Sequence, residues 1–294
     1  MVRRIRAVRP GPGPPSGAAM RQAARVTDEA WTGGDVAPWA HCVLAPNPSP
    51  MTLEGTNTWV LARPGAGRAV VVDPGPDDEG HLRAVLAAVE ARGARVATVL
   101  LTHGHPDHSE GARRFSELSG AGVRALDPAH RLGGEGLVGG DVVEVDGLRL
   151  DVVATPGHTT DSLTFVAPDG DAVLTGDTVL GRGTTVVAHP DGRLGEYLDT
   201  LRRLRDLAAG DGLTSVLPGH GPVLPRPVEV LEYYLRHREE RLEQVRAAVA
   251  GGAGTAPEVV EVVYADVDRV LWPAAELSVR AQLAYLGVEE PATE

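Results

Sequence analysis

"LLTHGHPDHSEG", residues 100–111, places three histidines and an aspartate within the six positions from His103 to His108. The preceding "VATVLL" reads as a short apolar strand. The following "PDHSEGARRFSELSG" reads as one helix, opened by Pro106 and closed by Gly120. Alternate residues of extended chain point the same way, so His103 and His105 can face one centre. Asp107 and His108 lie beyond Pro106, where the chain turns, and can aim at a second. Imidazole with carboxylate is a ligand set for zinc, and iron or manganese also accept mixed nitrogen and oxygen donors.

Three later positions share this character. His158 sits in "TPGHT", Asp177 in "TGDT" and His220 in "PGHG", each beside a glycine that lets the backbone bend and approach closely. With His103, His105, Asp107 and His108 they form a candidate metal set. His41, His81 and His130 have no such company and read as surface or hydrogen-bonded core histidines, and His189 in "VAHPDG" reads as a loop residue.

Around these motifs, "NTWVLAR" and "RAVVVDPG" read as strands and "DDEGHLRAVLAAVEARG" as an amphipathic helix with Leu82, Val85, Leu86 and Val89 on one face. This is a β-then-α alternation. The middle, "DVVEVDGLRLDVVATPGH" and "DSLTFVAPDGDAVLTGD", reads as antiparallel hairpins with Asp-Gly or similar turns. "RLGEYLDTLRRLRDLAAG" is a helix, "TSVLPGHG" a strand, and residues 227–249 a long charged helix. Two facing sheets with helices outside are the natural packing. The expected divisions are a flexible Pro/Gly-rich tail over 1–35, a catalytic domain over 36–250 and a small C-terminal module over 251–294.

Composition narrows the function classes. The chain has 294 residues, 28 basic residues that are all arginine, and a net charge of −12, which disfavours a broad electrostatic grip on nucleic acid. A single cysteine, Cys42, rules out an internal disulfide framework and fits a reducing compartment. No apolar run is long enough for a membrane span, and the first twenty residues lack the apolar core of a secretory signal. The expectation is a cytoplasmic protein whose chain starts at Met1 or Met20.

"HGHPDH" followed by "PGHT", "GD" and "GH" resembles the metallo-β-lactamase superfamily, over most of residues 57–222. That resemblance implies an α/β fold, the αββα four-layer sandwich, with a dinuclear site between the sheet edges. It implies two zinc ions per chain: His103, His105 and His158 on the first, Asp107, His108 and His220 on the second, Asp177 bridging. Asp73 in "VVVDPG" matches an aspartate that supports the metal loop rather than binding metal. "TLEGTNTWVL", "GDTVLGRGTTVV", "PGHGPV" and "HREERL" resemble the β-lactamase-like protein 2 subfamily of endoribonucleases, whose members carry a small winged-helix-like C-terminal part. Related sequences are thioesterases. Antibiotic hydrolysis fits less well, because class B1 lactamases carry cysteine where Asp177 stands.

Two cations held roughly 3.5–4 Å apart share one water and lower its pKa toward neutrality. Asp107 is the candidate catalytic residue, orienting that water and accepting its proton. The expected reaction is hydrolysis, with single-stranded RNA as the leading substrate and a thioester of acyl carrier protein, coenzyme A or glutathione as the alternative. A non-catalytic, metal-stabilised binding protein is the reading from another class. Candidate substrate contacts are Asn57 and Thr58, with Thr56 beside them, before the second strand, Arg182 and Thr184 in "GRGTT", and His237 and Arg238 in "YYLRHREERL". A charge run like the last is more often a solvated face.

Overall fold

The computed structural model describes residues 30–167, 169 and 171–290, so most of the expected tail, residues 1–29, lies outside the described residues. From Thr32 onward the described residues form one folded unit. Its strands make two six-stranded sheets, each following chain order across the sheet. The first contains β1 (Gly34–Ala37), β2 (Ala40–Leu44), β3 (Asn57–Leu61), β4 (Arg68–Val72), β5 (Arg95–Leu100) and β6 (Val123–Arg124). The second contains β7 (Val142–Val145), β8 (Leu148–Ala154), β9 (Leu163–Ala167), β10 (Ala172–Gly176), β11 (Ser215–Pro218) and β12 (Leu224–Pro225).

Each sheet is antiparallel where hairpins connect it and parallel where a helix does. The β4–β5, β5–β6 and β10–β11 pairs are parallel. Helix α1 (Glu79–Glu90) makes the first crossover, capped at its start by Asp78, whose carboxylate accepts from the His81 amide. Helix α4 (Leu194–Gly210) makes the last. Asp146 and Gly147, both at positive φ, turn β7 into β8 as the Asp-Gly pair requires.

Strand alternation divides the apolar residues between two faces. Ala69 and Val71 of β4 pack outward with α1 residues Leu82, Val85 and Val89, while Val70 and Val72 are equally buried on the opposite face. In the second sheet Val166, Val173 and Val216 pack outward against α4 and the long helix α5 (Pro227–Ala250). The result is helix, sheet, sheet, helix. A third cluster joins the end of α5 to α6 (Ala256–Val263) and α7 (Trp272–Leu286).

The structure departs from the sequence reading in three places. The strands β1 and β2 lie where no strand is expected, and β1 opens inside the stretch read as tail. The helix after the histidine cluster is two pieces, α2 (Pro106–Ser109) and α3 (Ala112–Ser119). Gly111 separates them because its amide donates to Gly75 O and a Cβ there would sit 2.7 Å from Pro76 O. Third, Asn57 is no rim residue. It is fully buried, and its Nδ2 donates to Pro218 O at 2.9 Å and Gly221 O at 2.8 Å, tying β3 to the loop after β11.

Asn57→Ala takes the side-chain donor from Gly221 O in a buried space. The expected loss is about 1–3 kcal/mol of folding stability, read from urea unfolding of the purified variant.

Candidate metal centre

The ligand candidates emerge from the carboxyl ends of strands in both sheets, at one end of the stacked pair. Strand β5 delivers His103, β10 delivers Asp177 and β11 delivers His220, while His158 lies four residues beyond β8. The sheets are locked together at this end. Leu163 N donates to Thr102 O at 2.7 Å, and Asn57 N to Gly219 O at 2.8 Å.

All seven predicted residues converge, in one group of His103, His105, His158 and Asp177 and another of Asp107, His108 and His220. Within the first, His105 Nδ1 lies 3.0 Å from His103 Nε2 and 3.1 Å from His158 Nε2. Within the second, His220 Nε2 is 3.3 Å from His108 Nε2 and 3.1 Å from Asp107 Oδ2. Asp177 stands between them: its oxygens are 3.3 Å from His108 Nε2, 3.3 Å from His220 Nε2 and 3.8 Å from His158 Nε2. Gly219 makes room for this, since a Cβ there would lie 2.4 Å from Asp177 Oδ1.

The outward nitrogen of three buried imidazoles is occupied. His108 Nδ1 donates to Asp73 Oδ2 at 2.9 Å, His158 Nδ1 to Val186 O at 2.8 Å and His220 Nδ1 to Gly55 O at 3.2 Å. That fixes each ring's orientation and turns its Nε2 inward. Asp73 does not join either group. It accepts from Thr102 N at 2.8 Å and Thr102 Oγ1 at 2.7 Å, next to the histidine loop.

These residues fit metal ions. Nitrogens bound to one tetrahedral zinc at about 2.0–2.1 Å stand roughly 3.3 Å apart, close to the separations found here. Asp177 Oδ1 is buried without a hydrogen-bond partner, an anionic oxygen placed for a cation.

Charge follows the same division. Burial holds His103 well below its ordinary range and His158 down to about 4, so both imidazoles are neutral, the form that binds metal. Burial also opposes charge on His108 and His220, but Asp177, with Asp73 for His108 and Asp107 for His220, outweighs it. His108 is held well above its usual value and His220 is raised to about 9. Burial works to raise Asp107, yet the hydrogen bond to His220 and the charge of His108 lower it to about 2.

The expected substrate contacts fare differently. Thr58 is fully buried, donating to Asp73 O at 2.6 Å and contacting His81 Nε2 at 2.9 Å, so with Asn57 it belongs to the frame. His81 is correspondingly a core histidine. Thr56 alone of the three reaches the ligands: its hydroxyl donates to Asp107 Oδ2 at 3.3 Å. Arg182 is exposed in the loop after Asp177 but donates to Glu54 Oε1 at 2.7 Å. Sequence reasoning missed Glu54, and nothing beside it in the chain signals the pairing. Thr184 is half-buried in the same loop as Arg182. His237 is half-buried with Nδ1 unpartnered, and burial brings it down to about 4. Arg238 is 6% exposed and bonds to Thr185 O, so it does not project toward solvent as a substrate contact.

A two-sheet fold with this ligand edge is that of the metallo-beta-lactamase superfamily, whose family model matches residues 51–220, and the chain belongs to that superfamily of metal-dependent hydrolases. Residues 255–290 match the beta-lactamase-associated winged helix domain, which covers α6 and α7. The chain is 35% identical to an atrochrysone carboxyl ACP thioesterase of Aspergillus fumigatus, over 76% of this chain and 72% of that protein. It is 32% identical to the Drosophila melanogaster beta-lactamase-like protein 2 homolog, over 84% and 87% respectively. A metallo-beta-lactamase family protein from Thermus thermophilus shares the fold, with a TM-score of 0.71 at 24% identity over 86% of this chain and 94% of that one. No described helix is long and apolar enough to cross a membrane.

Because Asp177 and the neighbouring carboxylates favour the protonated form of His108 and His220, a cation entering the second group competes with protons for their nitrogens. Metal loading at pH 7.5 is expected to release protons, and affinity to weaken as pH falls below about 9. Calorimetric titration in two buffers of different ionisation enthalpy checks this; identical heats would contradict it. Gly219→Ala is expected to fold while binding metal at least about 10-fold more weakly, because its Cβ displaces Asp177; a chelator competition assay measures the change.

Proposed function

We propose that the chain is a dinuclear metal-dependent hydrolase of thioesters. The observation that carries the two-cation reading is the placement of Asp177 within 3.3–3.8 Å of ligand nitrogens from both groups. His103, His105 and His158 would hold one ion, Asp107, His108 and His220 the other, with Asp177 shared, and zinc suits these donors. When bound, such a pair supplies Lewis acidity and water acidified toward neutral pH.

The chain's own residues do the rest. Asp107 is ionised and 28% exposed at its side chain, so its carboxylate meets incoming water and accepts a hydrogen bond from it. Thr56 Oγ1 holds Asp107 Oδ2 from the side. Water adds to the thioester carbonyl carbon, the C–S bond breaks, and a carboxylic acid and a thiol leave. No covalent enzyme intermediate is required.

Charge at the mouth favours a thioester over RNA. The loops that carry the ligands, residues 104–108, 156–160, 177–186 and 219–222, contain one arginine, Arg182, and Glu54 neutralises it. A polyanion needs a channel of free positive charge. The similarity to an ACP thioesterase points the same way. Cleavage of single-stranded RNA is the second reading, supported by the likeness to a beta-lactamase-like protein 2 homolog over 84% of this chain.

A panel assay on metal-saturated protein decides between them. Turnover of acyl thioesters of coenzyme A, glutathione or an acyl carrier protein, with fluorescent single-stranded RNA left intact, is the expected result. RNA cleavage with intact thioesters would replace the first reading with the second. Asp107→Ala should keep its fold and lose hydrolysis by about 10²–10⁴-fold; full activity would remove Asp107 from the mechanism.

A further inference from the structure

Arg238 is 6% exposed, and among the described residues no carboxylate lies within ion-pair distance of it. Arginine is rarely buried without a counter-ion, because removing its charge from water costs free energy that only a carboxylate or several good hydrogen bonds offset. Here the charge meets a backbone carbonyl, Thr185 O, and the face of Tyr197, whose ring centre is 5.1 Å from the guanidinium carbon. Its Nε has no hydrogen-bond partner. As a device for stability alone, this is an unfavourable arrangement.

Both partners lead to the metal centre within one or two residues. Thr185 Oγ1 is 3.3 Å from His158 Nδ1, and the next carbonyl, Val186 O, accepts from that nitrogen at 2.8 Å. The segment that Arg238 grips from behind is therefore the one that sets the ring orientation and tautomer of His158. On the other side, the Tyr197 hydroxyl donates at 2.7 Å to Thr178 O, the residue after Asp177. The Tyr197 backbone also lies where a Cβ on Gly157 would go, with Cα only 2.3 Å from that point, and Gly157 precedes His158 at φ +135°. Glycine is thus demanded there twice, by the approach of α4 and by the left-handed backbone.

We propose that Arg238 is a positioning residue of the metal centre: through Thr185 and Tyr197 its buried guanidinium aims His158 Nε2 and the Asp177 carboxylate at a cation in the first ligand group. The inference rests on the metal-binding reading above. It assigns the arginine of "HREERL" to the metal rather than to substrate. Lysine is no substitute, because a compact ammonium lacks the planar guanidinium that donates to a carbonyl while resting against an aromatic ring. The second group lacks this support, since His108 and His220 are held by Asp73 and Gly55 instead.

Cobalt titration of the metal-free full chain tests the inference, with visible absorption reporting the geometry at each ion. Wild-type protein should take up two cobalt ions. Arg238→Met and Arg238→Lys should bind one of them about 10–100-fold more weakly, the range for losing an outer support of a ligating histidine, with the larger change in that ion's bands and a smaller one in the other's, which shares only Asp177 with it. Tyr197→Phe, which removes one hydroxyl and keeps the ring, should show a smaller loss in the same ion and serves if the Arg238 variants do not fold. Thermal unfolding of each metal-free variant separates bracing from positioning. Arginine variants that bind cobalt with wild-type affinity and spectrum, whatever their melting temperature, would overturn the proposal. Failure of the wild-type chain to bind cobalt at all would instead defeat the metal-binding reading.

Discussion

The buried carboxylate of Asp73 holds the histidine loop to the first sheet, and the metal centre depends on it. Its oxygens accept from the Thr102 amide, the Thr102 hydroxyl and His108 Nδ1, so one side chain fixes both the start of the loop and the ring that turns furthest inward. Asp73 takes a left-handed φ of 51°, unfavourable for a residue with a Cβ. Its three hydrogen bonds hold it there. From this point His103 and His105 continue along the extended direction toward one group, and His108 turns back toward the other.

The price of such a centre is electrostatic. Five imidazoles, four of them nearly dry, and two carboxylates share a space in which ligand nitrogens lie 3.0–3.3 Å apart. Low dielectric strengthens both their attraction to cations and their mutual frustration without them. Asp177, with Asp73 beside His108 and Asp107 beside His220, favours protons on these two rings against their burial. Metal and proton therefore compete for the same nitrogens, and stability, metal content and pH are linked in one equilibrium. The surrounding frame of Asn57, Thr58 and Trp59 bonds to neighbouring protein groups and keeps the two sheet ends in register whichever occupant is present.

Much of this was legible along the chain because each motif is local. "HGHPDH" at a strand end states its chemistry in six residues, and the glycine beside each later ligand marks a close approach that the structure shows at Gly219, 2.4 Å from Asp177 Oδ1. The misreadings have local causes as well. Asn57 and Thr58 are polar residues before a strand, which describes a rim contact and a buried brace equally well; only the opposing carbonyls of Pro218 and Gly221 distinguish them. The break between α2 and α3 comes from Gly75 and Pro76, more than thirty residues upstream. The strands β1 and β2 are hard to read because "GDVAPWAHCVL" alternates weakly and its partner β3 supplies the register.

The amino-acid sequence alone determined the ligand types, their placement at strand ends and the alternation that makes two sheets, because these depend on residue chemistry and on periods of two and 3.6. Tertiary structure decided which nitrogen of each histidine faces inward, that Asp177 stands within reach of both groups, that Glu54 cancels Arg182, and that Arg238 turns inside rather than out. These are properties of pairs separated by tens to hundreds of residues. Distance along the chain carries no information about distance in space until the sheets have packed.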